Sequence, residues 1–145
     1  MIALIQRVDE ARVDVEGETV GAIAVGLLAL IGVQPGDDAT APGRLLDRLL
    51  HYRIFPDAAG RMNRSLRDVG GGLLLVPQFT LAADTHSGLR PSFSTAASPT
   101  LGRERFDTLV EIASAAHAPV AAGRFGADMR VQLVNNGPVT FWLEV

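Results

Sequence analysis

Asn135-Asn136-Gly137-Pro138 puts main-chain atoms, not side chains, where a ligand can be met. Gly137 has no Cβ and Pro138 no backbone N–H, so the pair offers two neighbouring carbonyl oxygens with little side chain around them. Such a tip can touch a ligand closely without gripping its side chain; on these residues alone it also reads as an ordinary hairpin turn. A second stretch, Val76-Pro77-Gln78-Phe79-Thr80-Leu81, runs from a buried strand into a polar end and is the natural counterpart. Other chemistry is excluded by composition. All 13 basic residues are arginine, so no lysine is present for a Schiff base or a phosphate-binding P-loop, whatever Gly70-Gly71-Gly72 might suggest. With no cysteine, thiol catalysis, disulfides and cysteine metal sites are absent. His51, His86 and His117 are far apart and show no metal-ligand spacing, which favours surface or core roles.

The elements that must position these residues follow from periodicity. Apolar side chains occupy every second position before the tip (Met129, Val131, Leu133) and after it (Val139, Phe141, Leu143, Val145), which predicts two short strands folded into a hairpin. Strands are expected at Ala3 to Val8, Ala11 to Val15, Val20 to Ile23 and Gly26 to Val33, the last an unbroken apolar run suited to burial on both faces. Asp37, Asp38 and Thr40 before Pro42 open a helix with a Leu45, Leu46, Leu49, Leu50 stripe. Arg53 to Phe55 reads as a short strand and Arg61 to Gly72 as a polar surface connection. Leu73 to Val76 is a buried strand ended by Pro77, and Ala82 to Phe93 an ordered loop of the length that often carries function. Ser98-Pro99 opens a second helix through Phe106, Leu109, Val110, Ala113 and Ala116, closed near Pro119. The order ββββ-α-β-β-α-ββ predicts an α+β single domain over residues 1–145, with a strongly curved, barrel-like, mostly antiparallel sheet and two main helices.

The 145 residues, 48% hydrophobic and 20% charged, suffice for a core without metals or disulfides. No signal peptide or membrane-spanning run is legible, which predicts a soluble cytoplasmic protein. A net charge of −3 argues against broad nucleic-acid binding while leaving room for a site that takes only the end of an RNA.

The chain resembles the D-aminoacyl-tRNA deacylases, also called D-tyrosyl-tRNA deacylases. The likeness rests on Ile5-Gln6-Arg7-Val8, Arg53-Ile54-Phe55, Gln78-Phe79-Thr80-Leu81, Ala83-Asp84-Thr85, Arg90-Pro91-Ser92-Phe93, Phe125 to Met129 and Asn136 to Thr140, in that order and spacing. It implies a homodimer, working without cofactor or metal, that hydrolyses the ester joining a D-amino acid to the 3′ end of tRNA, or glycine mischarged on tRNA-Ala. It implies that Gly137-Pro138 has a cis peptide bond and enters the opposite subunit's site, where rigid carbonyls reject L-amino acids by clash and glycine passes. On this likeness Arg7 is the residue expected to hold the tip, its planar fork binding two carbonyl oxygens at once. Gln78, Phe79 and Thr80 form the other wall. Their backbone N–H groups face a developing oxyanion, and Thr80 is read as positioning first and nucleophile second. Phe125 and Met129 are candidates for the terminal adenosine pocket, ordinary core packing being the other reading. One departure stands out: family members commonly carry serine where this chain has Pro77, so no mechanism can use a hydroxyl there. Two further readings remain, a non-catalytic RNA-end binding module and a relaxed relative acting on some L-aminoacyl-tRNAs.

Overall fold

The computed structural model describes residues 1–86 and 88–145. Ser87, inside the expected 82–93 loop, lies outside the described residues.

The strand β1 (Ile2–Val15) is the axis on which the others are hung. Two strands were expected there, split by the polar pair Asp9-Glu10. Instead the chain continues, because the pair sits where the register against a later strand slips, a bulge rather than a break. Antiparallel to β1 run β2 (Glu18–Ile23), β3 (Gly26–Gly32) and, on the other edge, β8 (Arg130–Glu144). After β3 the chain crosses over through helix α1 (Ala41–His51), the small hairpin β4 (Phe55–Pro56) and β5 (Met62–Arg64), and a short helix α2 (Leu66–Val69). It then lays β6 (Gly72–Pro77) parallel to β3. A 3₁₀ turn (Phe79–Ala82), helix α3 (Pro99–Ala116) and β7 (Val120–Ala122), parallel to β6, precede β8. The sheet order is β2-β1-β3-β6-β7 with β8 on β1.

The sheet curls until β2 meets β7. A Cβ on Gly21 would lie 2.7 Å from the Ala122 carbonyl oxygen, so the nearly closed barrel needs glycine at that approach. Likewise a Cβ on Gly26 would stand 2.0 Å from the Gly72 oxygen, where β3 and β6 begin side by side. This is the expected α+β architecture, a barrel-like, mostly antiparallel sheet with two main helices. The unbroken apolar run of β3 has its cause: Leu27, Ala29 and Ile31 pack beneath α1 and α3 while Leu28 faces Val8, Val13, Leu74 and Val76 inside the curl.

Two further expectations fail. Arg61 to Gly72 is no plain surface connection: it holds β5 and α2, the latter closed by a Ser65–Asp68 capping box and ended at Gly70 (φ 63°). Elements this short carry no readable periodicity. The larger correction concerns the C-terminus, which is one strand and not a hairpin. Both halves of β8 pair with β1: Gln6 opposes Thr140 and Val8 opposes Asn135, so the residues between Asn135 and Thr140 bow out as a bulge. An alternating pattern records that a strand is half-buried, but not which strand it pairs with.

Candidate active site

A cavity of about 480 Å³ opens where β3 and β6 end, α3 begins and β8 starts. Pro77, Gln78 and Phe79 form one side; Phe106 and Phe125 lie opposite, and Met129 completes the lining. The sequence-predicted residues Gln78, Phe79, Phe125 and Met129 therefore share one site.

Local chain geometry explains the Gln78 side. Pro77 ends β6, and the Gln78 N–H donates to the Ile31 carbonyl at 2.7 Å, so β6 is anchored to β3 at its last residue. Gln78 then turns (φ −143°, ψ 79°) into the 3₁₀ segment, whose first bond runs from the Leu81 N–H to the Gln78 carbonyl. The N–H groups of Phe79 and Thr80 precede that bond, the position in which helical donors have no partner within the turn. Thr80 does not line the cavity wall; its Oγ1 accepts from Gln78 Nε2 at 2.5 Å. That partner is an amide donor, which holds the hydroxyl in place but cannot remove its proton. The Phe79 ring is exposed and packs against Phe93 with centroids 5.1 Å apart.

The opposite wall is tuned by two contacts. Arg103 lies over the Phe125 ring, Cζ 4.9 Å from the centroid, and donates through Nη2 to the Phe125 carbonyl at 3.4 Å. Gly123 gives Met129 its place, since a Cβ at 123 would come within 2.8 Å of the Met129 sulfur. The histidines stay out of this chemistry. His51 Nδ1 meets the Asp47 carbonyl, His117 Nε2 meets the Gly71 carbonyl, and exposed His86 is tied to Asp84. The His86 backbone N–H, and secondarily its ring, hold the Asp84 carboxyl below the usual carboxylate range.

Arg7, Gly137 and Pro138 lie elsewhere. Arg7 Nε donates to the Asn136 carbonyl at 3.0 Å and Nη1 to the Ile54 carbonyl at 2.7 Å, so its fork does join two carbonyl oxygens, neither of them from Gly137 or Pro138. The bulge is braced by side chains that sequence reading treated only as turn formers. Asn135 Oδ1 accepts from the Val139 N–H (2.8 Å) and its Nδ2 donates to Thr140 Oγ1 (2.9 Å). Asn136 Nδ2 donates to Asp9 Oδ1 (2.6 Å). The Gly137–Pro138 peptide is cis, as is Ala118–Pro119. Gly137 has φ +139°, and a Cβ there would sit 2.6 Å from Val139 Cγ2, so a side chain at this position is both strained and blocked. Paired asparagines before Gly-Pro were the only sequence signal for this bracing. Arg7 pairs with Leu27 on β3, whereas the cavity begins at Ile31, four residues further along that strand. At ~3.3 Å per residue the tip and the cavity of one protomer are separated by roughly 13 Å along the sheet.

The cavity is thus walled by a main-chain turn and apolar rings, with the Thr80 hydroxyl immobilised just outside its lining. The chain belongs to the family whose model, described as D-Tyr-tRNA(Tyr) deacylase, matches residues 4–144. It is 68% identical over 145 residues to the D-aminoacyl-tRNA deacylase of Thioalkalivibrio sulfidiphilus (strain HL-EbGR7), covering 100% of this chain and 97% of that one. It is 66% identical to the D-aminoacyl-tRNA deacylase of Ectopseudomonas mendocina (strain ymp), covering 100% of both. Among solved structures it is similar to the c-Myc DNA unwinding element binding protein, with TM-score 0.94 and 32% identity over 100% of this chain and 99% of that one. A structure of a probable eukaryotic D-amino acid tRNA deacylase shares the fold at TM-score 0.77 and 19% identity, over 99% of this chain and 98% of that one.

Proposed function

We propose that the chain is a homodimeric proofreading enzyme that hydrolyses D-aminoacyl-tRNA, and glycine mischarged on tRNA-Ala, to free amino acid and tRNA. One observation supports the arrangement: the bulge, tied down by Arg7, stands roughly 13 Å along the sheet from its own protomer's cavity, which suits a wall offered to a second copy. In that dimer Gly137 and Pro138 of one protomer face Gln78, Phe79 and Thr80 of the other. The terminal adenosine enters between Phe125 and Met129, and the ester lies against the turn.

Water adds across the ester, its hydroxyl going to the acyl carbon and its proton to the departing ribose oxygen. The Phe79 and Thr80 N–H groups stabilise the oxyanion, a contribution of about 2.7–4 kcal/mol per donor in other enzymes. Thr80 Oγ1 is held by an amide and not by a base, which leaves proton movement to the substrate's own 2′-hydroxyl and water. Chirality is read as a clash: a stiff carbonyl wall meets the side chain of an L-amino acid, whereas a D-side chain points away and glycine has none. Such a wall need not know which amino acid it sees.

The lack of a base beside Thr80 also favours a non-catalytic module that only binds RNA ends. A relaxed enzyme acting on some L-aminoacyl-tRNAs is disfavoured by the bracing of the tip. Hydrolysis of matched D-alanyl-, L-alanyl- and glycyl-tRNA by purified protein, with sedimentation to give the oligomeric state, tests all three. Turnover of the D and glycyl substrates by a dimer is expected. A monomer that still discriminates would overturn the cross-subunit arrangement, and no turnover at all would favour the binding module.

A further inference from the structure

The aromatic pair Phe79–Phe93 is left over once the cavity has been given its nucleoside. Phe79 is 57% exposed and Phe93 44% exposed, and their rings touch at a centroid distance of 5.1 Å with planes inclined at 53°. In the single protomer the two half-exposed rings, packed side by side, present an aromatic step to solvent. Their placement is not casual. Phe79 lines the cavity, whereas Phe93 lies beyond the lining on the 92–95 segment. That segment is fixed to the turn. Asp84 and Ser92 exchange backbone bonds at 2.8 and 3.0 Å, and Thr95 Oγ1 donates to the Ala82 carbonyl at 2.6 Å.

Resting on the reading that the cavity takes the terminal adenosine, we propose that the Phe79–Phe93 step is a stacking platform for the base of the preceding nucleotide of the tRNA end. Two considerations select this occupant over the amino-acid side chain. A fixed ring can rely only on a part of the substrate that never changes; the amino acid varies from one mischarged tRNA to the next, whereas the terminal CCA nucleotides do not. In addition, a net charge of −3 argues against a broad basic face to hold phosphates, so affinity for a single strand must come largely from stacking, which is sequence-tolerant because every base has a π-face. Aromatic rings splayed beside a pocket are how proteins take unstacked RNA ends.

The test compares binding of the trinucleotide CCA with binding of adenosine alone, by calorimetry on the purified full chain. For the unaltered protein CCA should bind tighter by about 5- to 100-fold, the ratio that one stacked base confers. Phe93→Ala should erase that advantage while leaving adenosine affinity and melting temperature unchanged, and Phe93→Trp should restore it. The KM for D-alanyl-tRNA should rise by a similar factor in Phe93→Ala, with hydrolysis of 3′-D-alanyl-adenosine unaffected. Equal weakening of CCA and adenosine in Phe93→Ala would overturn the proposal, as would a loss confined to aromatic D-amino acids, which would give the platform to the side chain. Adenosine binding without any CCA advantage in the unaltered protein would also overturn it, while leaving the cavity reading intact; failure to bind either would sink the cavity reading itself.

Discussion

Arg7 and Asn136 are joined twice, by Nε to the main-chain oxygen at 3.0 Å and by Nη2 to the side-chain oxygen at 3.4 Å. The third arm of the same guanidinium, Nη1, reaches the Ile54 carbonyl between α1 and β4, so one planar group ties the tip to the crossover. Arg7→Ala should therefore loosen the wall without unfolding the barrel. Losing charged hydrogen bonds of about 1.5–3 kcal/mol predicts a fall of about 10- to 100-fold in D over L preference, measured as the ratio of kcat/KM on matched alanyl-tRNAs. Arg7→Lys should recover little, because a point charge cannot hold both oxygens at fixed geometry. If the preference survives Arg7→Ala intact, the wall does not depend on this brace.

Thr80→Val keeps the shape of the side chain and removes the acceptor that Gln78 Nε2 uses. A neutral hydrogen bond of about 0.5–1.5 kcal/mol predicts a loss in kcat of no more than about 10-fold. Substrate ending in 2′-deoxyadenosine should lose far more with the unaltered enzyme. The reverse pattern, a large loss for Thr80→Val and none for the deoxy substrate, would make Thr80 the nucleophile.

Gly123→Ala tests whether Met129 shapes the cavity. The new Cβ would meet the Met129 sulfur at 2.8 Å and the Pro77 Cδ at 3.3 Å. A thioether at the end of a flexible chain can swing aside at small cost to folding. The displaced side chain should narrow the cavity and weaken adenosine binding, with the melting temperature nearly unchanged. Unchanged adenosine affinity would remove Met129 from the pocket.

The Asp84 carboxyl is held below its ordinary value, first by the His86 backbone N–H and then by the His86 ring. A depressed carboxylate contributes stability that is complete above its unfolded value of about 3.9 and is lost as pH falls through the lower folded value. The 84–92 bridge should thus be indifferent to pH across the neutral range and open only in acid. The protection factors of the His86 and Ser92 amides, followed from pH 8 to pH 3, should be flat until below about pH 4; loosening already near pH 6 would show that the Asp84 carboxylate does not hold the bridge.

Part of the candidate site's geometry was legible in the chain. Gln78 and Phe79 after a buried strand, and Phe125 and Met129 near glycines, were expected at a pocket and line one cavity, whereas Thr80 stands outside its lining and Gly137-Pro138 lies elsewhere. The two main helices were readable from their stripes and their Ser98-Pro99 and Thr40 to Pro42 starts. Thr40 differs in one respect: it occupies the cap position of α1 without capping a backbone N–H, its hydroxyl instead donating to Asp38 at 2.7 Å and accepting from Arg44 Nη1 at 2.8 Å.

The sequence by itself determined the long extended stretches, the two main helices and which positions lack side chains, since those properties depend on local sterics and on periodic burial. Partnership was decided only in three dimensions. The alternation of β8 is the same whether its halves pair with each other or both pair with β1, and only the fold selects β1 and turns an expected hairpin tip into a braced bulge. The same holds for Arg7: its fork was evident from its chemistry, but its acceptors, Asn136 and Ile54, lie 129 and 47 residues away in the chain. Long-range acceptors leave no local mark in a sequence, because the free energy that selects them is shared by the whole packed sheet.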